Sequence, residues 1–174
     1  MIMVMDNYKI KHLRKRQYLL QEGDVCKYMA FIAKGAGRMY RINEHGQDSV
    51  IRLAVESWWL GDFESYNLGT PSKYNIEMTE DSDVLLISRE SSQELIRNVP
   101  AIAQMINEID KSGTIATQRR LQSAISLGAE ERYQELSDLY PEFIRRFPQS
   151  MIASYLGISA ETLSRIRKNL LRSK

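Results

Sequence analysis

Residues 149–170 read QSMIASYLGISAETLSRIRKNL, and their spacing predicts two short helices joined by a turn at Gly157. Apolar residues recur at intervals of three and four in each half, as in helices buried on one face. With Gln149 as position 1, Ala153 falls at position 5, where two helices cross closely, and Gly157 falls at position 9. Glycine suits the turn because it adopts positive φ without strain. The inward positions hold apolar side chains: Ile152, Leu156, Ile158, Leu163 and Ile166.

This spacing predicts a helix-turn-helix, whose second helix reads base sequence in the DNA major groove. The local charge supports DNA binding, because residues 141–174 contain seven Lys or Arg and two Glu. Their net charge is +5, whereas the whole chain carries +2. A basic block on one small module is the electrostatic signature of phosphate binding. The alternative is a plain helical hairpin in which Gly157 only ends a helix.

Composition favours a cytoplasmic globular protein that is not an enzyme. The 174 residues, 43% of them hydrophobic, are enough for one large or two small domains. We expect no transmembrane helix and no signal peptide, because no apolar run reaches the required length. Cys26 is the single cysteine and is expected to be a buried thiol, while His12 and His45 are too few for a zinc or cupin-type metal centre. We therefore predict no catalytic residues, no metal site and no cofactor.

The first half of the chain has the pattern of a β-sandwich or β-roll. Between residues 8 and 88, β-rich runs alternate with turns rich in Gly, Asn and Asp at roughly ten-residue spacing. The predicted strands are Tyr18–Leu20, Tyr28–Ala33, Arg38–Ile42, Ser49–Ala54, Asn75–Thr79 and Val84–Ser88.

The pattern becomes helical after Arg89, with a short helix at Ser91–Arg97 and a long one from about Ala101 to Ser126. The apolar spacing of the long helix is that of a coiled coil, which predicts a homodimer seam. The seam residues are Ile102, Met105, Ile106, Ile109, Gly113 and Ala116. The alternative is that this helix packs on its own β-roll. Because a helix-turn-helix usually reads two half-sites, we favour the dimer. Shorter helices are predicted at Ala129–Leu139 and Pro141–Arg146.

A β-roll, a long helix and a C-terminal helix-turn-helix together resemble the Crp/Fnr family of bacterial transcription regulators. Glu22–Asp24, Tyr28–Ile32 and Gly35 are similar to the family's cyclic-nucleotide-binding domain. The stretches WWLGDFES, SLGAEERY and PQSMIASYLGISAETLSRIRK are similar to the subgroup common in Bacteroidetes.

The resemblance implies an α+β fold in three parts: a jelly-roll-like sensor domain at 1–98, a dimerisation helix at 99–126 and a helix-turn-helix domain at 127–174. It implies double-stranded DNA, a second copy of the chain and RNA polymerase as partners. Because the sequence ends at Lys174, we expect the family's usual β-wing to be absent. Met1–Asn7 is also shorter than the helix that precedes the first strand in relatives.

For the DNA contacts, the resemblance implies that Glu161 meets a cytosine amino group and that Arg165 pairs with guanine, as base-edge chemistry allows. Ser159 is the expected N-cap of the recognition helix, and Ala160 stands where relatives often carry another arginine. Glu161 and Arg165 can also form an exposed i,i+4 ion pair, and both interpretations can hold because such a pair pre-orients the arginine. The remaining candidates are a groove-facing Lys168 and the phosphate contacts Gln149, Ser150 and Thr162.

In the sensor domain, the resemblance argues against cyclic AMP. Relatives that bind it use a Gly-Glu pair for the ribose and an Arg-Ser or Arg-Thr pair for the cyclic phosphate. These pairs align with Gly61-Asp62 and Ser72-Lys73, so the arginine is absent. A lysine ammonium lacks the planar fork that matches phosphate. Thr117 aligns with the helical threonine that meets the base in cyclic-AMP receptors.

Two interpretations of this pocket stay open. It holds a different small effector, with Asp62, Glu64 and Lys73 as polar contacts and Trp58 and Trp59 as walls, or it is vestigial and the tryptophans fill the core. The contrasting function is a ligand-binding regulatory module that acts on a protein partner instead of DNA.

Overall fold

The computed structural model describes residues 7–172, apart from the side chains of Asp110 and Ser112. The chain forms two compact units, Met1–Asn107 and Glu108–Lys174. The expectations about the segment before the first strand and about Lys174 concern ends of the chain outside the described residues. The three-part division at residues 98 and 126 stays a prediction.

The first unit is a β-roll built from two antiparallel sheets, which confirms the predicted fold class. Its strands are β1 (Tyr8–Leu13), β2 (Tyr18–Leu20), β3 (Tyr28–Lys34), β4 (Gly37–Ile42), β5 (Asp48–Ala54), β6 (Trp59–Leu60), β7 (Asn75–Met78) and β8 (Ser82–Ser88). Among the described residues each sheet has four strands, in the orders β1-β8-β3-β6 and β2-β7-β4-β5.

The core of the roll lies on the faces that the two sheets turn toward each other. In one sheet Ala30 pairs with Leu86 and Ile32 with Val84, and all four side chains are buried. Ile76 of β7 belongs to the same apolar cluster, in the other sheet. Alternation with period two therefore places every second side chain of these strands in the core.

The helices follow and interrupt this roll. They are α1 (Phe63–Leu68), α2 (Arg89–Asn98), α3 (Pro100–Ser126), α4 (Ala129–Leu139), α5 (Pro141–Arg146), α6 (Gln149–Leu156) and α7 (Ala160–Arg172). The predicted short and long helices are confirmed, with α2 starting two residues earlier and α3 one residue earlier than expected. Pro100 begins α3 because the first helical position needs no N–H donor.

Three elements were not among the predictions: β1, β6 and α1. Lysines alternate with Tyr8 and Ile10 in β1, so its strand character depends on pairing with β8. β6 has two residues. The six residues of α1 are too few to show a helical period.

The helical unit packs around Phe143, whose side chain is completely buried. The ring of Phe143 stacks on Tyr140 at 5.0 Å between centroids and forms edge-to-face pairs with Phe147 and Tyr155 at 5.4 and 6.4 Å. Such offset and edge-to-face pairs are favourable beyond the area they bury. This aromatic cluster ties α5 to α6, the first helix of the predicted DNA-binding motif.

Candidate nucleic-acid interface and sensor cavity

The predicted helix-turn-helix is formed by α6, Gly157 and α7. Gly157 has φ +67° and ψ +36°, the left-handed conformation that the turn was predicted to require. The N–H of Gly157 donates to the Ser154 carbonyl and the N–H of Ile158 donates to the Ala153 carbonyl, each at 3.0 Å. These two bonds are the Schellman motif that ends many helices at a glycine.

The inward positions of the motif are buried as the spacing predicts. Ile152 and Ala153 of α6 are each 2% exposed, and Leu163 and Ile166 of α7 are 1% and 6% exposed. Leu156 is also buried. Ile158 in the turn is half-buried. Because these side chains fix one face of α7 against its own unit, the opposite face is turned to solvent.

Ser159 caps α7 in the predicted manner. Its hydroxyl oxygen accepts the backbone N–H of Thr162 at 3.1 Å and lies 3.0 Å from the Thr162 hydroxyl. Arg165 Nη2 donates to Thr162 Oγ1 at 3.4 Å. Ser159, Thr162 and Arg165 therefore form one hydrogen-bonded row along the start of the helix.

The solvent face of α7 carries the predicted base readers. Glu161, Arg165 and Lys168 are all exposed. Among the described residues, the ion pairs do not include Glu161 with Arg165, so this ion pair is not formed. Gln149 and Ser150 are exposed in the first turn of α6. All of the DNA-contact candidates thus belong to these two helices and the cap that joins them.

The sensor candidate Asp62 has a structural role in this chain. Its carboxylate is 5% exposed and caps α1, where Oδ1 accepts the N–H groups of Glu64 and Ser65 at 3.1 and 3.3 Å. Its Oδ2 accepts the Ser72 hydroxyl at 2.7 Å. Both carboxylate oxygens are therefore engaged by neighbouring groups of the chain.

Ser72 is held on its backbone as well. Its carbonyl accepts the N–H of Gly23, and its own N–H donates to the Asp24 carbonyl, both at 2.8 Å. The sequence resemblance predicts this residue at the position where cyclic-AMP-binding relatives carry the arginine for the phosphate. The Ser72 hydroxyl donates a hydrogen bond to Asp62, and Ser72 is buried.

A cavity of about 230 Å³ opens beside this hydrogen-bonded pair. Its lining includes three sensor candidates, Asp62, Glu64 and Lys73, and four residues absent from the predicted site: Ser65, Thr70, Pro71 and Tyr74. Glu64 and Lys73 are exposed. The structure therefore brings three predicted polar residues to one cavity.

Other sensor candidates lie elsewhere. The ring of Trp59 contacts Phe31 and Tyr8, with ring centroids 5.4 and 6.5 Å away, and is not part of the cavity lining. Trp58 packs against the core of the roll. Gly61 lies against Met29, whose sulfur would overlap any Cβ at this position.

Thr117 lies on α3 in the helical unit, where its hydroxyl donates to the Gly113 carbonyl at 2.9 Å.

Two residues beside the helix-turn-helix were not found from the sequence. Arg120 of α3 and Arg132 of α4 donate hydrogen bonds to backbone carbonyls at the end of α6. Donor and acceptor are separated by 35 and 24 residues along the chain, so no local pattern marks them.

Among the described residues, no group of three or more His, Cys, Asp and Glu side chains is placed to hold a metal ion. Within residues 7–172, no helix has both the length and the apolar character needed to cross a bilayer.

A β-roll followed by a helical unit that ends in a helix-turn-helix defines the architectural class of this chain. Residues 10–99, just over half of the chain, match the cyclic nucleotide-binding domain, and the chain belongs to that family. No curated protein sequence matches it.

The chain is similar to solved structures of regulators over nearly its whole length. FixK2 from Bradyrhizobium japonicum is 18% identical, with a TM-score of 0.77 over 95% of this chain and 85% of its own. The c-di-GMP-responsive global regulator CLP from Xanthomonas campestris is 16% identical, with a TM-score of 0.76 over 99% and 90%. A transcriptional regulator of the crp/fnr family from Eubacterium rectale is also 16% identical, with a TM-score of 0.69 over 99% and 82%.

The chain therefore has the fold of Crp/Fnr regulators, as its sequence motifs predict. Neighbours with this fold are described as regulators and not as enzymes. The assignment to a subgroup stays a prediction.

Proposed function

We propose that this protein is a sequence-specific DNA-binding transcription regulator of Crp/Fnr type that binds a two-fold symmetric operator as a homodimer. The single observation that carries the proposal is the exposed face of α7. Leu163 and Ile166 are buried on one side, while Glu161, Arg165 and Lys168 face solvent on the other. An acidic acceptor and basic donors on a capped helix match the groups that the major groove presents.

Affinity comes from phosphate contacts and specificity from base edges. Residues 160–172 contain four basic residues and one acidic residue. In the proposed complex, Arg165 pairs with guanine and Glu161 accepts from a cytosine amino group, while Lys168 adds positive charge in the groove. Gln149, Ser150 and Thr162 hold the motif on the phosphates.

The homodimer is proposed from the long helix α3. Of the predicted seam residues, Met105 (43% exposed) and Ala116 are exposed, and Ile102, Ile106, Ile109 and Gly113 are half-buried in the single chain. Removing apolar area from water is favourable by about 25 cal/mol per Å². A second copy packed along α3 would bury part of this area and space two recognition helices for two half-sites.

A salt series of DNA binding tests the proposal. The probe is an operator selected from random duplex DNA by the wild-type protein, and its affinity is measured at several salt concentrations. We expect log affinity to fall steeply with log salt, because each neutralised phosphate contributes a slope of about −0.9. Arg165→Ala should weaken the selected operator more than random DNA. Arg14→Ala, which removes an exposed arginine of the β-roll, is the matched control.

A slope near zero would contradict DNA binding and would favour the alternative, a regulatory module that acts on a protein partner. Sedimentation of the wild-type chain tests the dimer separately. A monomer at micromolar concentration would contradict the homodimer.

We also propose that the sensor cavity does not take cyclic AMP. Asp62 uses both carboxylate oxygens within the chain, and Ser72 stands in place of the phosphate-binding arginine. Lys73 offers a point charge without the guanidinium fork. Calorimetric titration with cyclic AMP should give no heat of binding. Micromolar affinity would overturn this part of the proposal, and the effector, if the cavity takes one, is a different small molecule.

The proposed regulator works in the cytoplasm, with RNA polymerase as the protein partner that conveys its effect on transcription. Transcription in vitro with purified polymerase and the selected operator placed near a promoter tests this partner. An unchanged transcript level at saturating regulator would contradict it.

A further inference from the structure

The C-terminal end of α6 needs partners for its last four carbonyl groups, because no following helical turn supplies N–H donors. The Schellman bonds use the carbonyls of Ala153 and Ser154. The carbonyls of Tyr155 and Leu156 accept instead from side chains of other helices. All four terminal carbonyls therefore have donors.

Those donors are two arginines. Arg120 Nη2 of α3 donates to the Tyr155 carbonyl at 2.9 Å, and Arg132 Nη1 of α4 donates to the Leu156 carbonyl at 2.7 Å. We call Arg120 and Arg132, together with these two carbonyls, the arginine clamp. Two cations lie at the negative end of the α6 dipole, where positive charge is stabilising.

Arg120 also contacts the side chain of Tyr155. Its guanidinium lies over the ring of Tyr155 at 4.0 Å from the centroid, in a cation–π arrangement. The same ring forms an edge-to-face pair with Phe143 in the core of the helical unit. Arg120 therefore holds both the backbone and the side chain of Tyr155.

The clamp lies directly beside the turn that sets the direction of α7. The Leu156 carbonyl precedes Gly157, and Arg132 Nη1 lies 3.9 Å from the place where a Gly157 Cβ would stand. Ser159, which caps α7, follows two residues later. Movement at the end of α6 would therefore move the recognition helix.

We propose that Arg120 and Arg132 are positioning residues that fix the end of α6 to the long helix α3 and to α4, so that two recognition helices in a dimer meet two half-sites in register. This inference rests on the proposed function. It assigns specificity for half-site spacing to two residues that touch no base. Arg120 has the larger role because α3 is the proposed dimer helix.

The test compares Arg120→Met with Arg119→Met. Both variants remove one arginine from neighbouring positions of α3, and Arg119 is exposed. The probes are the selected operator with two half-sites and a duplex with one half-site. Arg120→Met should lower the two-site affinity about tenfold and the one-site affinity by less than about twofold. A helix-turn-helix that is no longer held to α3 loses the extra affinity that comes from binding both half-sites at once. Arg119→Met should change both affinities equally.

A readout without DNA separates this inference from the proposed function. Amide hydrogen exchange of Gly157 and Ile158, whose N–H groups close the Schellman turn, should be faster in Arg120→Met than in Arg119→Met. If the wild-type protein shows no salt-dependent DNA binding, the proposed function fails. The exchange rates still test whether Arg120 stabilises the turn at Gly157.

Equal exchange rates in the two variants, or equal losses on one-site and two-site DNA, would overturn the clamp. If Arg120→Met does not fold, Arg120→Lys takes its place. Lysine keeps the charge but loses the planar fork and the stacking on Tyr155, so it should give an effect of the same kind and smaller size. A lysine variant identical to wild type in both measurements would also overturn the inference.

Discussion

Replacing Gly157 with alanine tests whether the turn between α6 and α7 depends on a left-handed backbone. Gly157 has φ +67° and ψ +36°, a conformation that costs a residue with a Cβ about 1–2 kcal/mol. An added Cβ would find Arg132 Nη1 at 3.9 Å, an ordinary contact distance, so no steric clash adds to this cost. We therefore expect Gly157→Ala to lower the free energy of unfolding of the helical unit by about 1–2 kcal/mol.

Urea unfolding measures this loss, with two probes for the two compact units. Far-ultraviolet circular dichroism follows the helices, whereas tryptophan fluorescence reports the β-roll, because Trp58 and Trp59 both lie in that unit. Gly69→Ala is the matched control. Gly69 ends α1 with φ +69°, and a Cβ there meets nothing within 4 Å. Gly157→Ala should shift the helical transition, and Gly69→Ala should shift the tryptophan transition.

Gly157→Asn tests whether the loss of stability comes from backbone strain or from the volume of the added side chain. Asn enters the left-handed region more readily than Ala, so Gly157→Asn should cost about half as much as Gly157→Ala. The reasoning would be refuted if Gly157→Ala left the helical transition in place. An asparagine variant less stable than the alanine variant would refute it as well.

The remaining predictions concern DNA, the sensor cavity and the thiol. Arg165→Ala should cost roughly 1–3 kcal/mol on the selected operator and relax preference at one base pair, and equal losses on random DNA in a binding titration would show that it reads no base. Asp62→Ala should lower the stability of the β-roll by about 1–3 kcal/mol, because the cap of α1 and the partner of Ser72 are both lost; urea unfolding followed by tryptophan fluorescence measures it, and an unchanged midpoint would contradict the capping role. Burial raises the pKa of the Cys26 thiol, so iodoacetamide at mildly alkaline pH should modify the native chain far more slowly than the urea-unfolded chain, as mass spectrometry would detect. Equal rates in the two states would show an accessible thiol.

The helix-turn-helix was predictable because its constraints are local. Burial of Ile152 and Leu163, the left-handed Gly157 and the Ser159 cap all depend on residues within one short stretch. Each follows from the helical period or from the conformational range of one residue type. Six of the eight strand positions in the described β-roll were predictable for the same reason, since alternation is also a local signal, whereas β1 and β6 were missed.

In the sensor region, the sequence did not predict which groups the candidate side chains contact. The resemblance to cyclic-nucleotide-binding relatives predicted Asp62 as a ligand contact, and Asp62 does line the cavity, but only the structure shows that its carboxylate also caps α1 and accepts from Ser72. Aspartate serves either role, and only the folded backbone decides which N–H groups it meets. Trp59 likewise was a candidate wall of the pocket, but its place on β6 puts its ring against Phe31.

The sequence by itself determined the periodicity of each element, the turn at Gly157 and the local excess of positive charge, because these depend on residues that are neighbours along the chain. Tertiary structure alone decided the contacts between distant residues. Arg120 meets the Tyr155 carbonyl across 35 residues, and the Cys26 N–H meets Ser65 Oγ across 39. A hydrogen bond depends on distance and direction in space, and neither is set by sequence separation. Which polar groups are left for a ligand, and which arginines donate to the end of α6, follow from packing.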